Sequence, residues 1–246
     1  MLTGHGRGMN GSGDWWVLLH GTPLTPAVWD EVAAYLRPSG PVVCPEITPP
    51  GGVRDAQHDL AARLMFELEG RPERVHVVGH SFGGQVALDL ALLAPQRVRT
   101  LTIICSRDTP FPPFAAAAES LRRGDPVDVG AALGGWFTEP ELDSGGSVVT
   151  YARRCLNEAD PGAWAAALDA IAGYDRAGRA ASVEVPVTLI AAELDQVSSP
   201  DAMAAFAGHL PRGRLQVLAQ AAHMTPFTDP AGLAQRILGA SRAEPQ

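Results

Sequence analysis

Residues 75–93 read V-H-V-V-G-H-S-F-G-G-Q-V-A-L-D-L-A-L-L, and the fold is decided by this stretch. Its first four residues are apolar apart from one histidine, which suits a strand covered on both faces. Beyond Ser81, apolar residues recur at three- and four-residue spacing, so the pattern predicts a helix over 83–93. Gly79, Ser81 and Gly83 form G-x-S-x-G between the two. In such an elbow the glycines let the chain turn sharply without Cβ clashes. The serine hydroxyl then projects from the sheet edge, with its backbone N–H at a helix N-terminus. The flanking strand and helix are the context the motif requires, and Gly84 permits close helix packing, so Ser81 is the candidate nucleophile. A plain turn serine is the competing reading. His80 is expected to pack behind the site, because its neighbouring position points it away from the serine hydroxyl.

Outward from the elbow, short apolar runs at 15–19, 42–47, 75–78, 101–105, 187–192 and 215–218 alternate with helical patterns. Those patterns lie at 27–36, 55–68, 83–93, 200–210 and 230–238, most with Pro or Asp near their starts. This alternation predicts βαβ units and an α/β fold with a mostly parallel six-stranded sheet. The stretch 107–182 breaks it, being Ala-rich and helical in period without a convincing strand. It is expected to be a helical cap inserted into a core made of 1–106 and 183–246. Phe111, Phe114, Trp136, Phe137 and Trp164 within it are candidates to line an apolar substrate pocket, against the alternative that each ring only holds the cap together.

A serine hydroxyl needs a neutral imidazole to accept its proton, and the imidazole needs a carboxylate to hold its tautomer. His223 follows the last strand in Q-A-A-H-M-T-P-F, where loops at the carboxyl edge gather, and is the candidate base. His76 lies in a strand, His58 and His209 on helices and His5 in a Gly-rich tail, so these four read as structural or solvent-exposed. Asp195 follows the strand V-T-L-I-A-A in E-L-D-Q-V-S-S-P and is the candidate acid. Asp108, after L-T-I-I-C in S-R-D-T-P, is the main rival, and Glu193 a weaker one. Thr22, in H-G-T-P after the first strand, is placed to offer a backbone N–H that pairs with that of Phe82 as an oxyanion hole. His20 is expected to brace that loop.

Together H-G-T-P at 20–23, G-H-S-F-G-G at 79–84, E-L-D-Q-V-S-S-P at 193–200 and A-A-H-M-T-P-F at 221–227 resemble the α/β-hydrolase superfamily over nearly the whole chain. The runs G-G-W-F-T-E-P-E-L and W-A-A-A-L-D-A-I-A-G-Y-D look similar to small lactonases and esterases of the 3-oxoadipate enol-lactonase type. The resemblance implies an α/β-hydrolase fold, an ester or lactone of a small molecule as substrate, and neither cofactor nor metal. It also implies that two strands usual ahead of the H-G loop are missing, since 14 residues precede Trp15. The run 42–47 would then lie at or near a sheet edge guarded by Pro41, Pro45 and Pro49. Relatives with serine at the elbow also cleave C–C bonds in dienols, and a low-turnover ligand-binding receptor on the same fold is a further alternative.

Composition narrows the field. Across 246 residues, 46% are hydrophobic and 19% charged, which suits one globular domain. The charge of −8 and the scattered arginines argue against nucleic-acid binding. Cys44, Cys105 and Cys155 are far apart and outside any C-x-x-C spacing, so buried free thiols are expected. The first 14 residues have no apolar signal region, and the run WWVLL is too short to span a bilayer. A cytoplasmic monomer or homodimer, without membrane association, is the resulting expectation.

Overall fold

In the computed structural model, which describes residues 15–50, 55–70 and 74–242, six strands build one sheet. They are β1 (Trp16–Leu19), β2 (Val42–Val43), β3 (Val75–His80), β4 (Val98–Ile104), β5 (Val187–Ala192) and β6 (Gly213–Leu218). Their order is β2-β1-β3-β4-β5-β6, and every neighbouring pair is parallel. Helices α1 (Asp30–Leu36), α2 (Ala56–Glu67), α3 (Phe82–Leu93) and α10 (Pro200–His209) lie on crossovers between strands, and α11 (Pro230–Ser241) follows β6. Side chains such as Ser199 and Asp229 cap helix starts by accepting from the N–H groups of Ala202 and Gly232, orphan donors that would otherwise be unpaired. No helix among the described residues is long and apolar enough to cross a membrane.

Strand periodicity divides the core. Val17, Val77, Ile103 and Leu189 point to one face and pack with α2, α3 and α10; Trp16, Val78, Ile104 and Ile190 point to the other and pack with α1 and α11. Between β4 and β5 the described chain is helical: α4 (Pro113–Arg123), α5 (Val129–Trp136), α6 (Glu139–Ser144), α7 (Ser147–Glu158), α8 (Pro161–Gly173) and α9 (Ala177–Ala180). Both core clusters take in members of this stretch. Ala118, Leu168 and Ile171 join the first, and Leu133, Val149 and Leu156 the second.

Strand β5 has its expected bounds, and β2 and β4 depart most from theirs. β2 is two residues, not six, because Pro41 and Pro45 flank it and proline cannot donate to a ladder; it stands at one end of the order. β4 starts three residues early. Arg99 and Thr100 hide its start in the sequence, yet Thr100 pairs with His76 across the ladder, with their side chains 2.7 Å apart. The inference about two missing strands falls on residues 1–14, outside the described residues. Cys105 and Cys155 are buried free thiols, whereas Cys44 is half-buried.

One ion network fastens the helical stretch to the core. Asp89 on α3 is 1% exposed, and Arg176 donates to both its oxygens at 2.7 and 3.0 Å. The same guanidinium reaches both carboxylate oxygens of Asp55 at 2.8 and 2.9 Å, and the backbone N–H of Arg176 donates to the carbonyl of Asp108. The Tyr174 hydroxyl lies within 3.2 Å of Asp89 Oδ1 and 3.0 Å of the Gln85 carbonyl.

Candidate active site

Ser81 sits between β3 and α3 at φ 52° and ψ −121°, a backbone state that costs a non-glycine residue roughly 1–3 kcal/mol. Surrounding bonds hold it there. Its N–H donates to the Ile104 carbonyl at 2.9 Å, while its own carbonyl accepts from Gly84 N at 2.9 Å and from Ser106 Oγ at 2.7 Å. The elbow glycines are required by contact. A Cβ on Gly79 would overlap the Gly83 backbone, and one on Gly83 would overlap the carbonyl oxygens of Leu19 and His20. At Gly21 an added Cβ would lie 2.9 Å from His80 Nδ1 and 3.1 Å from Ser81 Cβ, so the H-G-T-P loop lies directly on the elbow.

His223, 5% exposed, has Nδ1 2.7 Å from Asp195 Oδ2. The other Asp195 oxygen accepts the N–H groups of Val197 and Ser198 at 2.9 and 3.0 Å. Burial pushes the Asp195 carboxyl up, but the charge and hydrogen bond of His223 and the two N–H donors outweigh it and bring the pKa down to about 2. Asp195 is therefore ionised at neutral pH and fixes the tautomer with Nδ1–H, leaving Nε2 as the basic nitrogen. Ser81 and His223 line one cavity of about 380 Å³, together with Thr22. The N–H of Phe82, first residue of α3, is one of the four that an α-helix leaves without an internal acceptor, while its side chain is buried in the core.

The rival acids are engaged elsewhere. Asp108 is 1% exposed, and its Oδ2 lies 2.7 Å from Nδ1 of His209 on α10. Glu193 accepts from the N–H of Gln220 at 2.7 Å. Arg107, beside Asp108, donates instead to the carbonyls of Thr109 and Val197 and so braces the loop after Asp195. His20 braces its own loop through the Gly21 carbonyl and the Ile47 N–H.

His80 adds a contact behind the imidazole. Its Nε2 lies 3.1 Å from the His223 carbonyl oxygen, its ring centroid is 4.8 Å from that of His223, and Phe227 meets it edge-on at 5.0 Å. Complete burial, then repulsion from His223, lowers its pKa to about 3. A neutral His80 donates its Nε2–H to that carbonyl and fixes the backbone at His223. The loop is held from the helical side too, since Met224 N donates to the Trp136 carbonyl at 2.8 Å and Thr225 Oγ1 to Glu141 Oε2 at 2.9 Å. His80, Cys105 and His223 bring possible metal-ligand atoms within 4.8 Å of one another. Burial holds the Cys105 thiol well above its usual pKa and Asp195 occupies His223 Nδ1, so the trio is a packed cluster beside Asp195.

Phe111, Phe114, Trp136 and Trp164 line the cavity, as do Leu24, Leu168, Ile171, Gln196, Val197 and Met224. Phe137 does not. It follows the last turn of α5 in extended conformation and is 3% exposed in the second core cluster. Gln196, Val197 and Met224 went unread in the sequence although they adjoin Asp195 and His223. Leu168 and Ile171 gave no signal beyond apolar helical spacing.

A model of the Alpha/beta hydrolase family matches residues 16–236. Pimeloyl-[acyl-carrier protein] methyl ester esterase of Nitrosomonas europaea is 28% identical over 233 residues, covering 88% of this chain and 91% of that protein. Among solved structures, a thermophilic esterase from Thermogutta terrifontis superposes with a TM-score of 0.83 at 24% identity, over 92% of this chain and 89% of that one. The enol-lactonase from Burkholderia xenovorans LB400 superposes at 0.83 with 18% identity, over 95% and 93%. These two share the fold with the chain.

Proposed function

The chain belongs to the alpha/beta hydrolase family, and from that membership we propose that it is a serine esterase or lactonase acting on small, uncharged, largely apolar molecules. The observation that carries the reading is the 2.7 Å His223–Asp195 bond on the wall of the cavity that Ser81 also lines. In this mechanism Ser81 Oγ attacks the carbonyl carbon while Nε2 of His223 takes its proton. The resulting oxyanion is held by the N–H groups of Thr22 and Phe82, each worth ~3 kcal/mol to the transition state. Collapse breaks the C–O bond, and the alkoxide leaves with the proton from His223. Water, deprotonated by the same nitrogen, then attacks the acyl-enzyme and frees the acid and Ser81.

The lining narrows the substrate. No Lys, Arg, Asp or Glu side chain lines the cavity among the described residues, and His80 there is neutral above pH 3 or so. A carboxylate entering it would lose hydration without a counterion, at a cost of roughly several kcal/mol. This favours neutral esters and lactones over a 3-oxoadipate enol-lactone, which keeps a free carboxylate. Ester cleavage is also the activity for which the Nitrosomonas europaea relative is named.

Short p-nitrophenyl esters supply the test. The wild type should turn them over, label with a fluorophosphonate at Ser81, and lose at least ~10³-fold in kcat on Ser81→Ala. Turnover that survives Ser81→Ala overturns the serine mechanism. Saturable binding of such esters with no product released would make the chain a receptor.

A further inference from the structure

Thr22 stands in a loop that is pinned at both ends. At the near end Gly21 lies against His80 and Ser81, and its carbonyl accepts from His20 Nδ1 at 2.8 Å. The Leu24 N–H returns to the same carbonyl at 3.1 Å and closes a turn around Thr22 and Pro23. At the far end the chain passes through Thr25 into the short 3-10 helix Pro26–Trp29, and there α7 takes hold of it. Tyr151, 126 residues away, donates its hydroxyl proton to the Thr25 carbonyl at 3.0 Å, accepts the Thr25 N–H at 2.9 Å and lies 3.0 Å from the Thr25 hydroxyl. A phenol has one proton and two lone pairs, so a single residue takes up all of them. Burial pushes the Tyr151 pKa up to about 12, which keeps that proton in place at neutral pH. The Arg154 guanidinium lies over the ring, 5.7 Å from its centroid, and Val149, Ala152 and Leu156 anchor α7 in the second core cluster.

The Thr22 N–H meets no acceptor among the described residues, which leaves it available to an incoming oxygen. We propose that Tyr151 is a positioning residue for hydrolysis: through Thr25 it fixes the Thr22 N–H where the oxyanion forms. This role rests on the serine-esterase reading above. An oxyanion donor acts only from hydrogen-bond distance, and a drift of ~1 Å forfeits much of its effect. The hydroxyl therefore matters to the rate although it stands outside the reacting groups. Trp136 on α5 and Glu141 on α6 already hold the His223 loop, so with Tyr151 the helical stretch braces the base and the oxyanion hole alike.

Tyr151→Phe keeps the ring and removes the hydroxyl. On the full chain with p-nitrophenyl butyrate, kcat should fall about 10-fold while KM stays within about twofold, because the oxyanion exists only beyond the ground state. Propyl trifluoromethyl ketone reads the hole directly. Ser81 Oγ adds to its carbonyl carbon, His223 takes the proton, and the ketone oxygen becomes the oxyanion; inhibition should weaken by the same ~10-fold. Thr25→Ala removes only the hydroxyl contact, on an exposed residue, and should cost about 3-fold in both readouts, with nothing added when it is combined with Tyr151→Phe. Tyr174→Phe, which cuts a different tie between the helical stretch and α3, is the control and should lower the melting temperature with both readouts unchanged. A Tyr151→Phe kcat within about twofold of the wild type overturns the proposal, and so does a rate loss that the ketone does not share or that is only a rise in KM. If Tyr151→Phe does not fold, Thr25→Ala decides by the same two readouts. If the wild type hydrolyses no ester, or Ser81→Ala matches it, the serine reading falls and takes this role with it.

Discussion

Acidification is expected to destabilise the protein through His80, and the size of the effect follows from its surroundings. An unfolded histidine titrates near pH 6.5, whereas His80 in the fold, 1% exposed and beside His223, stays neutral down to about pH 3. The unfolded chain therefore binds one more proton than the folded chain between those values. Stability rises with pH across that window and falls on acidification. From pH 7 to pH 4 the loss from this residue is ~3 kcal/mol, taking 1.36 kcal/mol per pH unit over the part of the window traversed. His80→Gln keeps an N–H for the His223 carbonyl but cannot titrate, so it should lack this part of the loss. Urea titrations of both proteins at pH 7 and pH 4 isolate the effect, because His223, Asp195 and His20 nearby are common to both. The wild-type midpoint should drop further than that of the variant by roughly 1 M or more, given slopes of ~1–3 kcal/mol per molar urea. Equal acid losses in the two proteins would refute a neutral, buried His80.

Two further outcomes bear on the site. Asp195→Asn should lower kcat by ~10³- to 10⁴-fold with the fold intact, because the imidazole loses the partner that fixes its tautomer. Asp108→Asn, which disturbs only the bond to His209, should cost stability rather than turnover; if it alone abolishes hydrolysis, the acid is misassigned. Gly83→Ala should leave little soluble protein or lower thermal stability by roughly 3 kcal/mol or more, since backbone carbonyls cannot move aside. Gly173→Ala, with open space around its Cβ, serves as the control in the same melting experiment.

Much of this arrangement is written locally. β5 and the elbow are legible because a buried parallel strand must be apolar throughout and a sharp strand-to-helix turn demands glycine at fixed places. The order Ser81, Asp195, His223 is visible for the same reason, each residue following a strand on a short loop. The choice between Asp195 and Asp108 is not, since both follow strands equally well and differ only in which distant imidazole meets them, His223 or His209. Of the adjacent rings Trp136 and Phe137, the first lines the cavity and the second is buried in the core, and the last turn of α5 ends between them. Asp89 is the one charged residue of α3, but its partner Arg176 is supplied from 87 residues away.

That distant supply has a consequence for recombination. The elbow helix carries a carboxylate whose counterion arrives with the stretch between β4 and β5, and that counterion is shared with Asp55 at the start of α2. A chimera that exchanged residues 107–182 for the matching piece of a relative would strand Asp89 in the interior unless the donor brought its own arginine to the same spot. Inheritance of substrate preference by segment swapping is thus constrained at a point that never touches substrate, and the three charges have to travel as one unit.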